Sequence, residues 1–248
     1  MQTTSSKESR KLALPFVGRE KEIERLRQLH KGRQHVLILG AEGVGKSALV
    51  AHLRKSFSLR VCPASERLSE ICEALEREFG LEAGDLHLVR RKNRLLKALK
   101  GTKRPVVFDG ASWTTPKLSS FIESVSQRVP VWLCVRSERP WDIGRIWPLL
   151  VRFEHVELKP FHPSETLLLV GAAVREGSVP ADTLNIVEWL HRHAAGSPKI
   201  LCELLEEIAR GHYNLSNSHA LRRLDLDRRI HEIFPNTGAL DGQSGGKL

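Results

Sequence analysis

Residues 40–47 read Gly-Ala-Glu-Gly-Val-Gly-Lys-Ser, a full match to the pattern G-x-x-x-x-G-K-[ST]. Each residue type there has a physical reason. Gly40, Gly43 and Gly45 let the backbone curl until its N–H groups, those of Val44 and Ala48 included, can face an anion. A helix beginning at the end of such a loop points its positive N-terminus at the same anion. Lys46 would reach the β- and γ-phosphates, and the Ser47 hydroxyl would hold Mg2+. The chemistry expected is the binding of a nucleoside triphosphate, ATP, with Mg2+. The plainer alternative is a Gly-rich turn between a strand and a helix.

A metal held by one hydroxyl needs an acid nearby. Val106-Val107-Phe108 is a short apolar run ending in Asp109, and a second strand carrying an Asp at its end would supply it. The alternative is a strand-ending Asp-Gly turn. The next residue is Gly110, where an ATPase commonly carries the acid that polarises water. ATP binding is therefore expected, with weak hydrolysis or none. Lys46 and Asp109 are the catalytic candidates in this stretch.

The elements around these residues follow from periodicity. HVLILG (35–40) reads as a buried parallel strand, and SALVAHLRKSF as the helix after the loop. Before them, PFVGREKEIERLRQLHKG gives a turn and an amphipathic helix. LRVCPA (59–64), PVVFDG (105–110), VPVWLCV (129–135) and FEHVEL (153–158) read as further strands. SERLSEICEALEREFG reads as a helix capped by Ser65, and a basic helix follows around 89–100. Strands separated by helices predict an α/β fold with a parallel sheet, an αβα sandwich. From Pro163 only helical patterns occur: SETLLLVGAAVREG, ADTLNIVEWLHRHAA and PKILCELLEEIARGH. The expected organisation is a flexible leader (1–13), a core (14–160), a helical lid (161–213) and a mostly flexible tail (214–248) with one short helix around 217–233. Trp132, Trp141 and Trp147 are read as packing residues.

The chain has 248 residues, with 39 Lys and Arg against 29 Asp and Glu, a net charge of +10. Such an excess favours polyanionic partners. Residues 90–104 contain eight cations and no acid. On a helix, Arg90, Arg94 and Lys97 share one face; with Arg91 and Lys92 they could neutralise the phosphates of double-stranded DNA. A solvated helix face is the alternative. No aromatic side chains interleave with these cations, which argues against stacking on single-stranded bases. No run approaches the ~20 apolar residues of a membrane span, so no membrane partner is expected. Cys62, Cys72, Cys134 and Cys202 are scattered without a metal-binding or disulfide spacing, and the N-terminus is polar. A reducing, cytoplasmic location is expected.

In order, these signatures resemble the AAA+ superfamily of P-loop ATPases, its initiator-like and transposition-regulator branch in particular, and they are similar to the STAND signalling NTPases. The resemblance covers roughly residues 14–212. It implies that Phe16, Val17 and Gly18, within PFVGRE, pack against adenine. It implies that VWLCVRS (131–137) carries a polar sensor residue, Ser137 or Arg136. It implies that Arg152, in LVRF, is an arginine finger reaching a neighbouring subunit. It implies that Lys199, in GSPK, faces the nucleotide from the lid, with ATP bound between core and lid. The function implied is an ATP-dependent switch that assembles with itself into a ring or filament. The assembly would form on DNA and recruit a separate partner protein, as in regulators of DNA transposition or initiation. The alternative implied by the STAND likeness is a non-hydrolysing nucleotide sensor acting through protein contacts.

Overall fold

The structure is a computed structural model and describes residues 14–63, 65, 67–82, 87–110, 114–136, 146–210 and 213–233. The chain divides into two compact units, one of residues Gly18–Pro160 and one of the remainder.

The first unit is built on five parallel strands: β1 (Val36–Gly40), β2 (Arg60–Cys62), β3 (Val106–Phe108), β4 (Val131–Arg136) and β5 (Glu154–Leu158). Their order across the sheet is β2-β3-β4-β1-β5. The helices are α1 (Glu20–Lys31), α2 (Lys46–Leu53), α3 (Leu68–Glu78), α4 (Leu88–Ala98), α5 (Pro116–Ser126) and the short α6 (Trp147–Leu150). The strands read as unbroken apolar runs because both faces of the sheet are covered. Alternate residues go to opposite faces. Leu37, Val106, Phe108, Leu133 and Val135 join Ile71, Leu75, Leu95, Phe121 and Ile122 of α3, α4 and α5 in one core. Trp132, between them in sequence, is fully buried and meets Phe57 and His30 edge-on.

Two sequence expectations are corrected in this unit, and one helix adds to them. Ser65 does not cap α3, which begins at Leu68. Its hydroxyl accepts the Arg67 N–H at 3.0 Å and donates to Glu70 at 2.6 Å, so a local turn has already used it. Trp147 is 58% exposed and lies outside the buried core. Helix α5 was not anticipated: Thr115 caps it by accepting the Leu118 N–H, Pro116 occupies its first turn, and Leu118, Phe121, Ile122 and Val125 form its buried stripe. Trp141 lies outside the described residues.

In the second unit, residues 14–17 accompany α7 (Pro163–Arg175), a 3-10 turn (Ala181–Ile186), α8 (Val187–Ala194), α9 (Pro198–Ala209) and α10 (Ser218–Ile233). Leu169, Val170, Leu190, Leu201, Leu204, Leu205 and Leu224 make its core. Helix α10 has 16 residues. Leu224 is fully buried and Tyr213 donates to Asp227 at 2.7 Å, which ties this segment to the unit.

Candidate nucleotide site

β1 ends at Gly40 and α2 begins at Lys46, so residues 41–45 form a loop between an interior strand and a helix N-terminus. The loop is shaped by its glycines. Gly43 and Gly45 have φ of 75° and 99°, which side chains disfavour. A Cβ on Gly40 would stand 2.7 Å from Val44 Cγ1 and 2.8 Å from the Leu158 carbonyl oxygen, closer than atoms can approach. Val44 is buried and anchors the loop from below. Lys46 Nζ donates to the carbonyls of Gly40 at 2.7 Å and Ala41 at 2.8 Å, so the ammonium is held over the loop.

The strand order sets the rest of the site. β4 lies between β1 and β3, and Arg136 is in register with Gly40. Arg136 pairs with Glu42 of the loop at 2.9 Å, both side chains about half exposed. Asp109 follows β3, one strand further, and its N–H donates to the Cys62 carbonyl at 2.9 Å. Burial first, then the Asp109 carboxylate that its thiol bonds, push Cys134 well above the ordinary thiol range. Cys134 is thus a neutral S–H donor on β4. A cavity of about 400 Å³ opens beside Ser47 and Asp109, with Val50, His52 and Val61 in its wall.

The structure therefore brings together Gly40, Gly43, Val44, Gly45, Lys46, Ser47, Ala48, Asp109 and Arg136. The residues present fit a triphosphate with a divalent metal. Gly43 and Gly45 hold the loop in a positive-φ curl, Gly40 packs too closely on Val44 and Leu158 to carry a side chain, a lysine is poised over the loop, and a hydroxyl and a carboxylate share one cavity.

The other expected site residues divide between the two units. Gly18 has φ 72° and begins the first unit, whereas Phe16 and Val17 belong to the second, where Val17 packs against the core. Lys199 lies in the second unit, paired with Glu203 at 3.8 Å and Glu232 at 3.5 Å. Arg152 is exposed just before β5. Ser137 lies outside the described residues.

The basic helix needs a correction. Arg91 donates to Glu76 at 2.6 and 3.1 Å, and Arg94 donates to it at 2.6 Å. Glu76 is 1% exposed. A buried carboxylate requires compensation, so these two arginines are turned toward α3, with side chains 14% and 30% exposed. Arg90 and Lys97 remain exposed on α4, and Lys92 is half-buried.

Sequence reading also missed Arg19. It is 4% exposed, and its Nη2 donates to the Val44 carbonyl at 3.1 Å and the Lys159 carbonyl at 2.6 Å. It braces the phosphate loop from the segment before α1. The available signal was its place in FVGRE, but the two carbonyls it meets are remote in sequence.

A parallel sheet of this order, with a glycine-shaped loop after β1 and an acid after β3, defines a P-loop nucleotide-binding ATPase. Residues 15–215 match the family model described as AAA ATPase domain, and the chain belongs to that family, an AAA+ ATPase. A comparison with curated protein sequences finds no match. Among solved structures, the chain is similar to the Aeropyrum pernix Orc1 protein in complex with DNA. That likeness has a TM-score of 0.63 at 15% identity, over 90% of this chain and 69% of that one. It is similar to a Walker-type ATPase of Pyrococcus abyssi, with a TM-score of 0.61 at 19% identity over 89% and 74% of the two chains. It is also similar to a Signal Transduction ATPase with Numerous Domains from Pyrococcus horikoshii that has a tetratricopeptide repeat sensor. There the TM-score is 0.51 at 17% identity, over 86% of this chain but 33% of that one. At such identities the likeness is one of fold. Among the described residues no helix is long and apolar enough to cross a membrane.

Proposed function

We propose that this chain is an ATP-dependent assembly switch that acts on DNA and hydrolyses ATP weakly. The loop N–H groups and Lys46 would hold the phosphates, and Ser47 and Asp109 would hold Mg2+. When bound, Mg2+ offsets charge on the β- and γ-phosphates. Cys134 orients the Asp109 carboxylate through its thiol hydrogen bond. Gly110 stands where a water-polarising acid would be needed, so a bound triphosphate persists and acts as a signal.

The observation that carries the assembly reading is the surface before β5. Arg152 is exposed there beside Val151, which is 82% exposed and one helical turn from the exposed Trp147. An arginine with two large apolar neighbours suits a contact with a second copy that bears a phosphate. ATP then favours assembly only if the assembled state binds it more tightly. DNA as the platform is supported by the net charge of +10 and by the likeness to the DNA-bound Orc1 protein. A separate partner protein, such as a transposition or initiation enzyme, would read the assembled state.

A second reading is favoured by the Arg136–Glu42 pair. It places a sensor-type arginine on the loop itself, as suits a nucleotide sensor acting through protein contacts.

Light scattering with a non-hydrolysable ATP analogue, with and without duplex DNA at low and high salt, tests the proposal. Assembly that needs both ATP and DNA, and that Lys46→Ala, Arg152→Ala and high salt each abolish, is the expected result. A monomer that binds ATP and ignores DNA would overturn it in favour of the sensor.

A further inference from the structure

The N-terminal ends of β2 and β3 border a second cavity, of about 350 Å³. Arg60 opens β2 and Arg104 stands two residues before β3, whereas Gly40 and Asp109 lie at the C-terminal ends of their strands. All strands are parallel, so the cavity is at the opposite end of the sheet from the phosphate loop. At about 3.3 Å per extended residue, Arg104 and Asp109 are on the order of 15 Å apart. One triphosphate seated at the loop does not reach this cavity.

Its wall carries Arg54, Lys55, Arg60 and Arg104 with a single carboxylate, Glu78. Glu78 pairs with Arg54. No described carboxylate pairs with Lys55, Arg60 or Arg104. Arg60 is fixed in place. Its Cζ lies 3.9 Å from the centre of the Phe79 ring, and Nη1 donates to Thr102 Oγ1 at 2.9 Å. Its Nε is buried with no partner. Burial, and then the nearby charge of Arg104, lower the Arg60 pKa, and the Glu78 carboxylate only partly opposes them. The turn from Arg54 to Leu59 is locked by Ser58 at φ 51° and by the Leu59 N–H bond to the Arg54 carbonyl at 3.0 Å.

We infer that this cleft seats a backbone phosphate of duplex DNA, with Arg60 as the fixed donor and Lys55 and Arg104 as flanking cations. The inference rests on the DNA reading above and relocates its contact, since Arg91 and Arg94 are committed to Glu76. A duplex suits it better than a free anion because the cations continue outward. Lys97, Lys100 and Lys103 are exposed along the chain leading to Arg104, with no acid between them. A single small anion would leave that row unused, whereas successive phosphates of a backbone would meet it.

Fluorescence anisotropy with a labelled short duplex of arbitrary sequence, over a salt series, tests the inference. Arg60→Gln/Arg104→Gln should weaken binding at low salt about tenfold and reduce the slope of log affinity against log salt by about two. Arg104→Gln alone, at an exposed side chain that leaves the core intact, should reduce it by about one. Melting curves of each variant confirm that it is folded. If the variants bind duplex as wild type does while Arg90→Gln/Lys97→Gln does not, the cleft is refuted and DNA binding stands. If wild type binds no duplex, the DNA reading and the cleft's assignment fall together. If inorganic phosphate alone stabilises wild type and not the double variant, with no duplex binding, the cleft takes a free anion and the assignment to DNA is overturned.

Discussion

Arg19 joins three places in the chain through one guanidinium: the segment before α1, the Val44 carbonyl in the phosphate loop, and the Lys159 carbonyl after β5. Nη2 serves both carbonyls while Nη1 donates to Glu22 at 3.3 Å, and the single ammonium of a lysine cannot occupy both nitrogen positions. Arg19→Lys should lower stability by about 2–3 kcal/mol and weaken nucleotide binding. Thermal melting and titration with a fluorescent ATP analogue check both, and an unchanged nucleotide affinity in a folded variant would show that the brace is structural only. Gly110 poses a different constraint. Its φ is 79°, so the backbone after Asp109 is in the left-handed region. Gly110→Glu should therefore cost about 1 kcal/mol, and it should not create an efficient ATPase, because the acid enters on a strained backbone. Phosphate release measured for wild type and variant tests this. Rapid turnover by the wild type would sink the idea that Gly110 limits hydrolysis.

At the scale of elements, α3 and α4 are joined by Glu76, whose two oxygens accept from Arg91 and Arg94. Burial alone would raise this carboxyl, but the hydrogen bonds from Arg91 and Arg94 outweigh it and hold the pKa below the ordinary value. The sign follows. A carboxyl with a depressed folded-state pKa contributes stability above its unfolded value of about 4.3, and that contribution is lost as pH falls through the folded value. Glu76→Gln should lower stability at neutral pH by about 2–3 kcal/mol, and the gap from wild type should close in acid. Urea unfolding at pH 7 and below pH 4 measures it; a gap that stays constant would mean the carboxylate charge is irrelevant. This pair also marks what the sequence could convey about elements. Helix periodicity is local, so α1, α4 and the helices after Pro163 were legible. The role of Arg91 and Arg94 depended on which face α4 turns toward α3, and that is a tertiary fact. Helix α5 carried a clear local signal, Thr115-Pro116 followed by a stripe at i, i+3, i+4 and i+7, that periodicity reading passed over.

At the scale of the whole molecule, the phosphate loop was legible because its residues are contiguous and each is required by the same ligand. The position of β4 between β1 and β3 was not, since the order of parallel strands is set by long crossovers rather than by local pattern. With it went the Arg136–Glu42 pair and the Cys134 contact to Asp109. The proposed self-assembly depends on surface that the folded chain leaves unused. Trp147 is 58% exposed and Val151 82% exposed, one helical turn apart and next to Arg152. Neither supports the core, so replacing them leaves the isolated chain folded. A charge at either place would have to be desolvated in any assembly that covers it, which costs far more than the lost apolar contact. Trp147→Asp and Val151→Asp should therefore keep the wild-type melting temperature and bind an ATP analogue normally, yet shift ATP-dependent assembly to at least tenfold higher protein concentration. Sedimentation velocity across a concentration series reads this directly. Assembly at wild-type concentrations by both variants would place the self-contact on another surface and leave Arg152 without its proposed neighbour.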